Sequence, residues 1–89
     1  MERRRIQFTG RVQGVGFRAT TRSIAAGFAV SGWVRNEADG SVVAEVQGEG
    51  VEIDRFLGAV GDRMGRFIKG QTVELCPVEA GERGFEIQR

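Results

Sequence analysis

The sequence predicts one α+β domain, a mostly antiparallel sheet with two helices on one face, in the order β-α-β-β-α-β with a short extra C-terminal strand. Three observations predict it. Apolar residues alternate with polar ones in five segments, the period of a half-buried strand. Two intervening segments repeat apolar residues at three- and four-residue steps, the stripe of an amphipathic helix. The chain has 89 residues, 40% apolar and 28% charged, enough for one modest core and too few for two.

Taken in order, Ile6, Phe8 and Val12 alternate with polar residues from Arg5 to Gln13, the first strand. Gly10 interrupts it and marks a bulge. After the loop Gln13-Gly14-Val15-Gly16, the residues Phe17, Thr21, Ile24, Ala25 and Phe28 form the first helical stripe. Gly27 stands where a C-cap glycine is common. In a second strand, about Ala29 to Asn36, Val30, Gly32 and Val34 share one face and Trp33 takes the other. Glu37 to Gly40 is a turn, with Asp39-Gly40 as the hairpin signal. Val42, Ala44 and Val46 alternate through a third strand ending at Gly48. Ile53, Phe56, Leu57, Val60 and Met64 make the second helix, weakened by Gly58 and Gly61. Val73 and Leu75 belong to a fourth strand that Pro77 limits to an edge or an end. Phe85 and Ile87 give the short last strand. This order is that of the ferredoxin-like sandwich, over a single domain of residues 1–89 with no repeat or linker.

Composition excludes several chemistries. Thirteen Lys+Arg against twelve Asp+Glu leave a net charge of +1, so no strong field draws nucleic acid or a membrane surface. There is no His and one Cys, Cys76, which removes the Ser-His-Asp triad, zinc hydrolysis and any intrachain disulfide. No metal or other cofactor is expected. The charged start Met1-Glu2-Arg3-Arg4-Arg5 is no signal peptide, and no segment approaches the ~20 apolar residues of a membrane span. A small cytoplasmic monomer is expected. Glycine is in excess, 14 of 89 residues, against a usual share of about 7%.

Two stretches carry the chemistry. The first, Gly10-Arg11-Val12-Gln13-Gly14-Val15-Gly16-Phe17-Arg18, leaves a strand, turns on glycines and enters a helix. Successive N–H groups in such a turn converge on an anion, and the helix N-terminus adds unpaired donors and partial positive charge. Arg18 in the first helical turn is electrostatically unfavourable unless an anion offsets it, and its guanidinium grips phosphate bidentately. The alternative is a glycine-shaped turn with a solvated arginine. Gly14-Val15-Gly16-Phe17-Arg18-Ala19 also fits the dinucleotide pattern, but the chain lacks the parallel βαβ sheet that pattern needs. No Gly-Lys-Ser/Thr follows the loop, so nucleotide binding is not expected.

The second stretch is Gly32-Trp33-Val34-Arg35-Asn36-Glu37-Ala38-Asp39-Gly40-Ser41-Val42, with Gly48 six residues on. Alone it is a hairpin, in which Asn36 is a turn residue. Together the two stretches resemble the acylphosphatase family, whose members carry Gly-x-Val-Gln-Gly-Val-x-Phe-Arg, then Gly-Trp-Val-x-Asn followed by Gly-x-Val…Gly. The resemblance is sharp from Phe8 to Gly48 and looser beyond. It implies a ferredoxin-like fold and metal-independent hydrolysis of acyl phosphates to a carboxylate and inorganic phosphate. It also implies that Arg18, with the loop amides of Gln13, Gly14, Val15, Gly16 and Phe17, binds the phosphate, and that Asn36 orients the attacking water.

The chain departs from that family in two places. The Gly-Pro-Pro-x-Ala type of segment after the second helix is replaced by Met64-Gly65-Arg66-Phe67-Ile68-Lys69-Gly70, and Phe8 stands where an aliphatic residue is usual. Elsewhere Trp33 reads as sheet packing, Arg3-Arg4-Arg5 as a solvated strand start, and Cys76 as a small, at least half-buried hydrophobe. Thr20 or Thr21 could hold the loop. The competing functions are a non-catalytic module binding phosphate or carbamoyl phosphate, and an RNA-binding sheet. The latter needs exposed aromatics and a basic face, and the strands supply only Phe8 and Trp33.

Overall fold

The computed structural model describes residues 1–89. Its elements are β1 (Glu2–Gly10), α1 (Phe17–Ala25), β2 (Ser31–Asn36), β3 (Val42–Gly48), α2 (Gly50–Met64), a 3-10 turn (Gly65–Phe67), β4 (Ile68–Cys76) and β5 (Phe85–Gln88). They form one five-stranded sheet in the order β4-β1-β3-β2-β5. All pairs are antiparallel except β2 with β5, which run parallel. The fold is therefore the ferredoxin-like α+β sandwich that the pattern of elements predicts.

Period-two alternation decides which side of the sheet is buried. Ile6, Phe8, Val34, Val42, Ala44 and Val46 point to one face, where they meet Ile24 and Ala25 of α1 and Ile53, Phe56, Val60 and Met64 of α2. Arg4 lies on that face at the end of β1, where it bonds Glu2 and Asp54 of α2. Gly32 is needed in β2 because of backbone crowding. A Cβ there would sit 1.8 Å from the Glu45 carbonyl oxygen, and its φ of 149° is one that side chains rarely adopt. β4 is an edge strand ending just before Pro77, and Val73 and Leu75 on it stay exposed.

The open face is held by charge. Arg3 is only 2% exposed. Its Nε donates to Glu45 at 2.7 Å, and its two Nη atoms grip Glu82 at 2.7 and 3.0 Å. Ser31 Oγ donates to the same carboxylate, while the Gln47 amide exchanges two hydrogen bonds with the Glu79 backbone. This network fastens the segment before β5 across the sheet. The expectation of a solvated arginine run is thus wrong at Arg3, because the carboxylates that bury it come from residues 42 and 79 positions away. The half-buried Trp33 lies between Arg5 and Arg35, whose guanidinium carbons stand 5.8 and 4.7 Å from its ring centre.

Several boundaries move. β1 ends at Gly10 rather than Gln13, because the register shifts at Thr9/Gly10 and the chain leaves the sheet. That shift is the bulge expected at Gly10. β2 starts at Ser31, and β4 at Ile68, within the stretch lacking the family's proline pair. Gly27 is no left-handed cap, since α1 closes on Ala26 in right-handed geometry and Gly27 N–H bonds the Ile24 carbonyl.

Burial pushes the Glu82 carboxyl up, but hydrogen bonds from Arg3 and then Ser31 outweigh it and hold the group below its ordinary value. The stability this pair contributes is complete above the ordinary glutamate pKa of about 4.3 and is lost as pH falls through the lower folded-state value. Arg3→Met strands Glu82, leaves Glu45 with Arg5 alone, and should cost about 3 kcal/mol, a fall in Tm on the order of 15 °C. Glu82→Gln should lose part of the acid dependence of Tm. Thermal melts from pH 3 to 7 measure both.

Candidate active site

The loop after β1 is pinned at both ends by burial. Val12 and Phe17 are fully enclosed in the core, and the Phe17 ring lies 5.0 Å from that of Phe8. Arg11 N–H donates to the Phe67 carbonyl at 2.9 Å, which ties the start of the loop to the start of β4. Between the pins the chain must reverse within four residues, and Gly14 and Gly16 do so with φ of 77° and 76°. Gly16 caps α1 through its carbonyl, which accepts the Thr20 N–H at 3.0 Å.

The reversal turns donors outward. No N–H from Gln13 to Ala19 has a backbone acceptor in the protein. The first turn of α1 holds no acidic residue and one cation, Arg18. Its guanidinium makes a single long contact, Nη1 to the Gln88 carbonyl at 3.4 Å, and has no carboxylate partner. The donors, the positive end of the helix and a free guanidinium all suit one kind of ligand, an oxyanion.

Asn36 is the last residue of β2, paired with Val42. The hairpin turn beyond it is closed by Glu37 N–H to the Ser41 carbonyl at 2.9 Å. Asp39 accepts from the Ser41 hydroxyl at 2.6 Å and from its N–H at 2.9 Å, which lowers its pKa. Gln13 joins this turn to the loop. Its Nε2 donates to the Glu37 carbonyl at 2.8 Å and to the Ser41 carbonyl at 2.9 Å.

A cleft of about 300 Å³ is lined by Val12, Gly14, Gly16, Phe17, Arg18, Ala19 and Asn36, together with Ile87 and Arg89. Of the residues the sequence singles out, Gly14, Gly16, Phe17, Arg18 and Asn36 meet there. Val15 packs partly on the core and does not line the cleft. The Gln13 side chain is spent on the turn, which leaves only its N–H for a ligand. Neither Thr20 nor Thr21 holds the loop by its hydroxyl, and Thr21 Oγ1 is buried without a partner. Ile87 and Arg89 are the residues that sequence reasoning missed. They reach the cleft only because β5 pairs with β2 across the chain, a contact no local pattern encodes.

Comparisons with known proteins agree with this fold. A family model described as Acylphosphatase matches residues 4–87. An acylphosphatase of Oceanobacillus iheyensis is 45% identical over 71 residues, covering 80% of this chain and 78% of that protein. The crystal structure of acylphosphatase from Bacillus subtilis superposes with a TM-score of 0.88 at 30% identity over the whole of both chains. Full-length HypF, in its phosphate- and nucleotide-bound form, contains a similar fold, with a TM-score of 0.83 and 28% identity over 99% of this chain and 12% of that one.

The Gln13 bridge and the left-handed glycines should register in stability. Gln13→Ala leaves two turn carbonyls short of a donor and should cost about 1–2 kcal/mol. Gly16→Ala meets no atom but forces a left-handed side chain, a cost of about 1 kcal/mol. Urea unfolding of both variants checks these values, and an unchanged midpoint for Gln13→Ala would show that the bridge does not hold the loop.

Proposed function

The chain belongs to the acylphosphatase family, whose members hydrolyse acyl phosphates, and from that premise we propose how its own residues perform the reaction. The phosphoryl group of a carboxyl–phosphate mixed anhydride sits in the loop, its oxygens met by the N–H groups of Gly14, Gly16 and Phe17 and by the Arg18 guanidinium, with Gln13 and Val15 completing the turn that presents them. Asn36 holds a water through its side-chain amide. What supports this reading most directly is the shared cleft, which Arg18, the glycine loop and Asn36 all line.

The water oxygen attacks phosphorus in line with the bond to the acyl oxygen. That bond breaks, its electron pair leaves on the carboxylate, and inorganic phosphate is the second product. A carboxylate is a good leaving group, so positioning and charge stabilisation suffice. Arg18 and the amides act on the charge carried by the equatorial oxygens, and being fixed beforehand they need no reorganisation as it develops. The cleft is lined by no Asp, Glu or Cys, and the chain has no His. The water's proton therefore goes to a phosphoryl oxygen, and the cleft offers no ligand set for a metal.

The same reading has residues 1–89 working as a single domain and a monomer. The β4 edge carries Lys69 and Glu74 beside the register shift at Thr9/Gly10, features that discourage edge pairing.

Phosphate release from benzoyl phosphate in the presence of EDTA tests the proposal. Arg18→Ala and Asn36→Ala should each lower kcat/KM by about 10² or more. Only Arg18→Ala should also weaken inhibition by inorganic phosphate. A wild type without turnover whose Tm nevertheless rises with phosphate would mark a binding module instead.

A further inference from the structure

We propose that Arg89 is a second phosphate-binding residue, which helps to hold the phosphoryl group; the inference rests on the function proposed above. β5 runs parallel to β2 with Val34 opposite Ile87 and Arg35 opposite Gln88. The ladder ends there, so Arg89 is the first residue past β5, as Asn36 is the last of β2. Alternation puts Asn36 on the helix-facing side with the fully buried Val34, and Ile87 packs against the same core. Arg89 lines the same cleft as Arg18 and Asn36.

The two cations are also linked through the backbone, because Arg18 Nη1 contacts the carbonyl of Gln88, the residue beside Arg89. Neither guanidinium has a carboxylate partner, which is equally true of Arg11, Arg22, Arg63, Arg66 and Arg83. What sets Arg18 and Arg89 apart is that they line one cleft. Two guanidinium groups lining one cleft without an Asp or Glu side chain repel each other, and a dianion between them relieves that repulsion. The shape of the ligand fits. A phosphoryl group carries more oxygens than the Arg18 fork can pair, and Arg89 offers a second, exposed fork in the same cleft.

The test compares wild type, Arg89→Gln and Arg89→Lys by the inhibition constant of inorganic phosphate and by benzoyl phosphate kinetics. Because the Arg89 side chain has no partner in the fold, the variants should keep the wild-type Tm. Arg89→Gln should raise the phosphate inhibition constant and KM together by about fivefold. Arg89→Lys should recover part of that loss, keeping the charge but not the fork. Wild-type phosphate affinity should also fall more steeply with NaCl than that of Arg89→Gln. An unchanged phosphate inhibition constant in Arg89→Gln overturns the proposal. So does a rise in KM alone, which would put Arg89 on the acyl group. A wild type that neither binds phosphate nor turns over benzoyl phosphate fails before any Arg89 variant is measured, and that outcome removes the parent reading as well.

Discussion

A loop that leaves its N–H groups unpaired has to be held by something other than those groups. Here two hydrogen bonds from the Gln13 side-chain amide to the hairpin turn hold it, between the buried side chains of Val12 and Phe17. Without such anchors a four-residue, glycine-rich reversal would sample many conformations, and binding an anion would have to order it. The same two bonds set the distance between the loop and the turn after Asn36, so one glutamine fixes both segments of the site. Every other feature of the site presupposes that arrangement.

Charge is distributed to the same end. On the open face of the sheet each buried or half-buried arginine is matched to a carboxylate, most completely in the Arg3, Glu45 and Glu82 cluster. At the end of the sheet, where the cleft lies, the acids are absent and the guanidinium groups are free. A protein of net charge +1 thus keeps a local positive site without a strong overall field. The Arg3 network also serves that site from a distance. It fastens the segment that leads into β5, which supplies Ile87 and the Gln88 carbonyl against Arg18 and is followed directly by Arg89.

Much of this is legible in the chain because it is locally encoded. The alternation of Val42, Ala44 and Val46, the stripe of Ile53, Phe56, Val60 and Met64, and the glycines at 14 and 16 each state their structure within a few residues. Arg18 can be read from its place at a helix start. What escapes depends on pairing across the sheet. Arg3 reads as solvated because Glu82 is remote in sequence, and the side-chain bridge from Gln13 goes unread because the carbonyls it bonds belong to the turn between β2 and β3. Arg89 goes unremarked because the parallel β2–β5 pairing cannot be inferred from either strand alone. The Gly27 cap fails for the opposite reason, since a local preference is present but the helix has already closed on Ala26.

At the centre of the proposed mechanism, a water held by Asn36 attacks phosphorus, not the carbonyl carbon, while the loop and Arg18 hold the phosphoryl group. Turnover of benzoyl phosphate in ¹⁸O-labelled water decides it, read by mass spectrometry of both products. Attack at phosphorus predicts one labelled oxygen in inorganic phosphate and none in benzoate. Label in benzoate would mean attack at the acyl carbon, and the proposed roles of Arg18 and Asn36 would then be wrong.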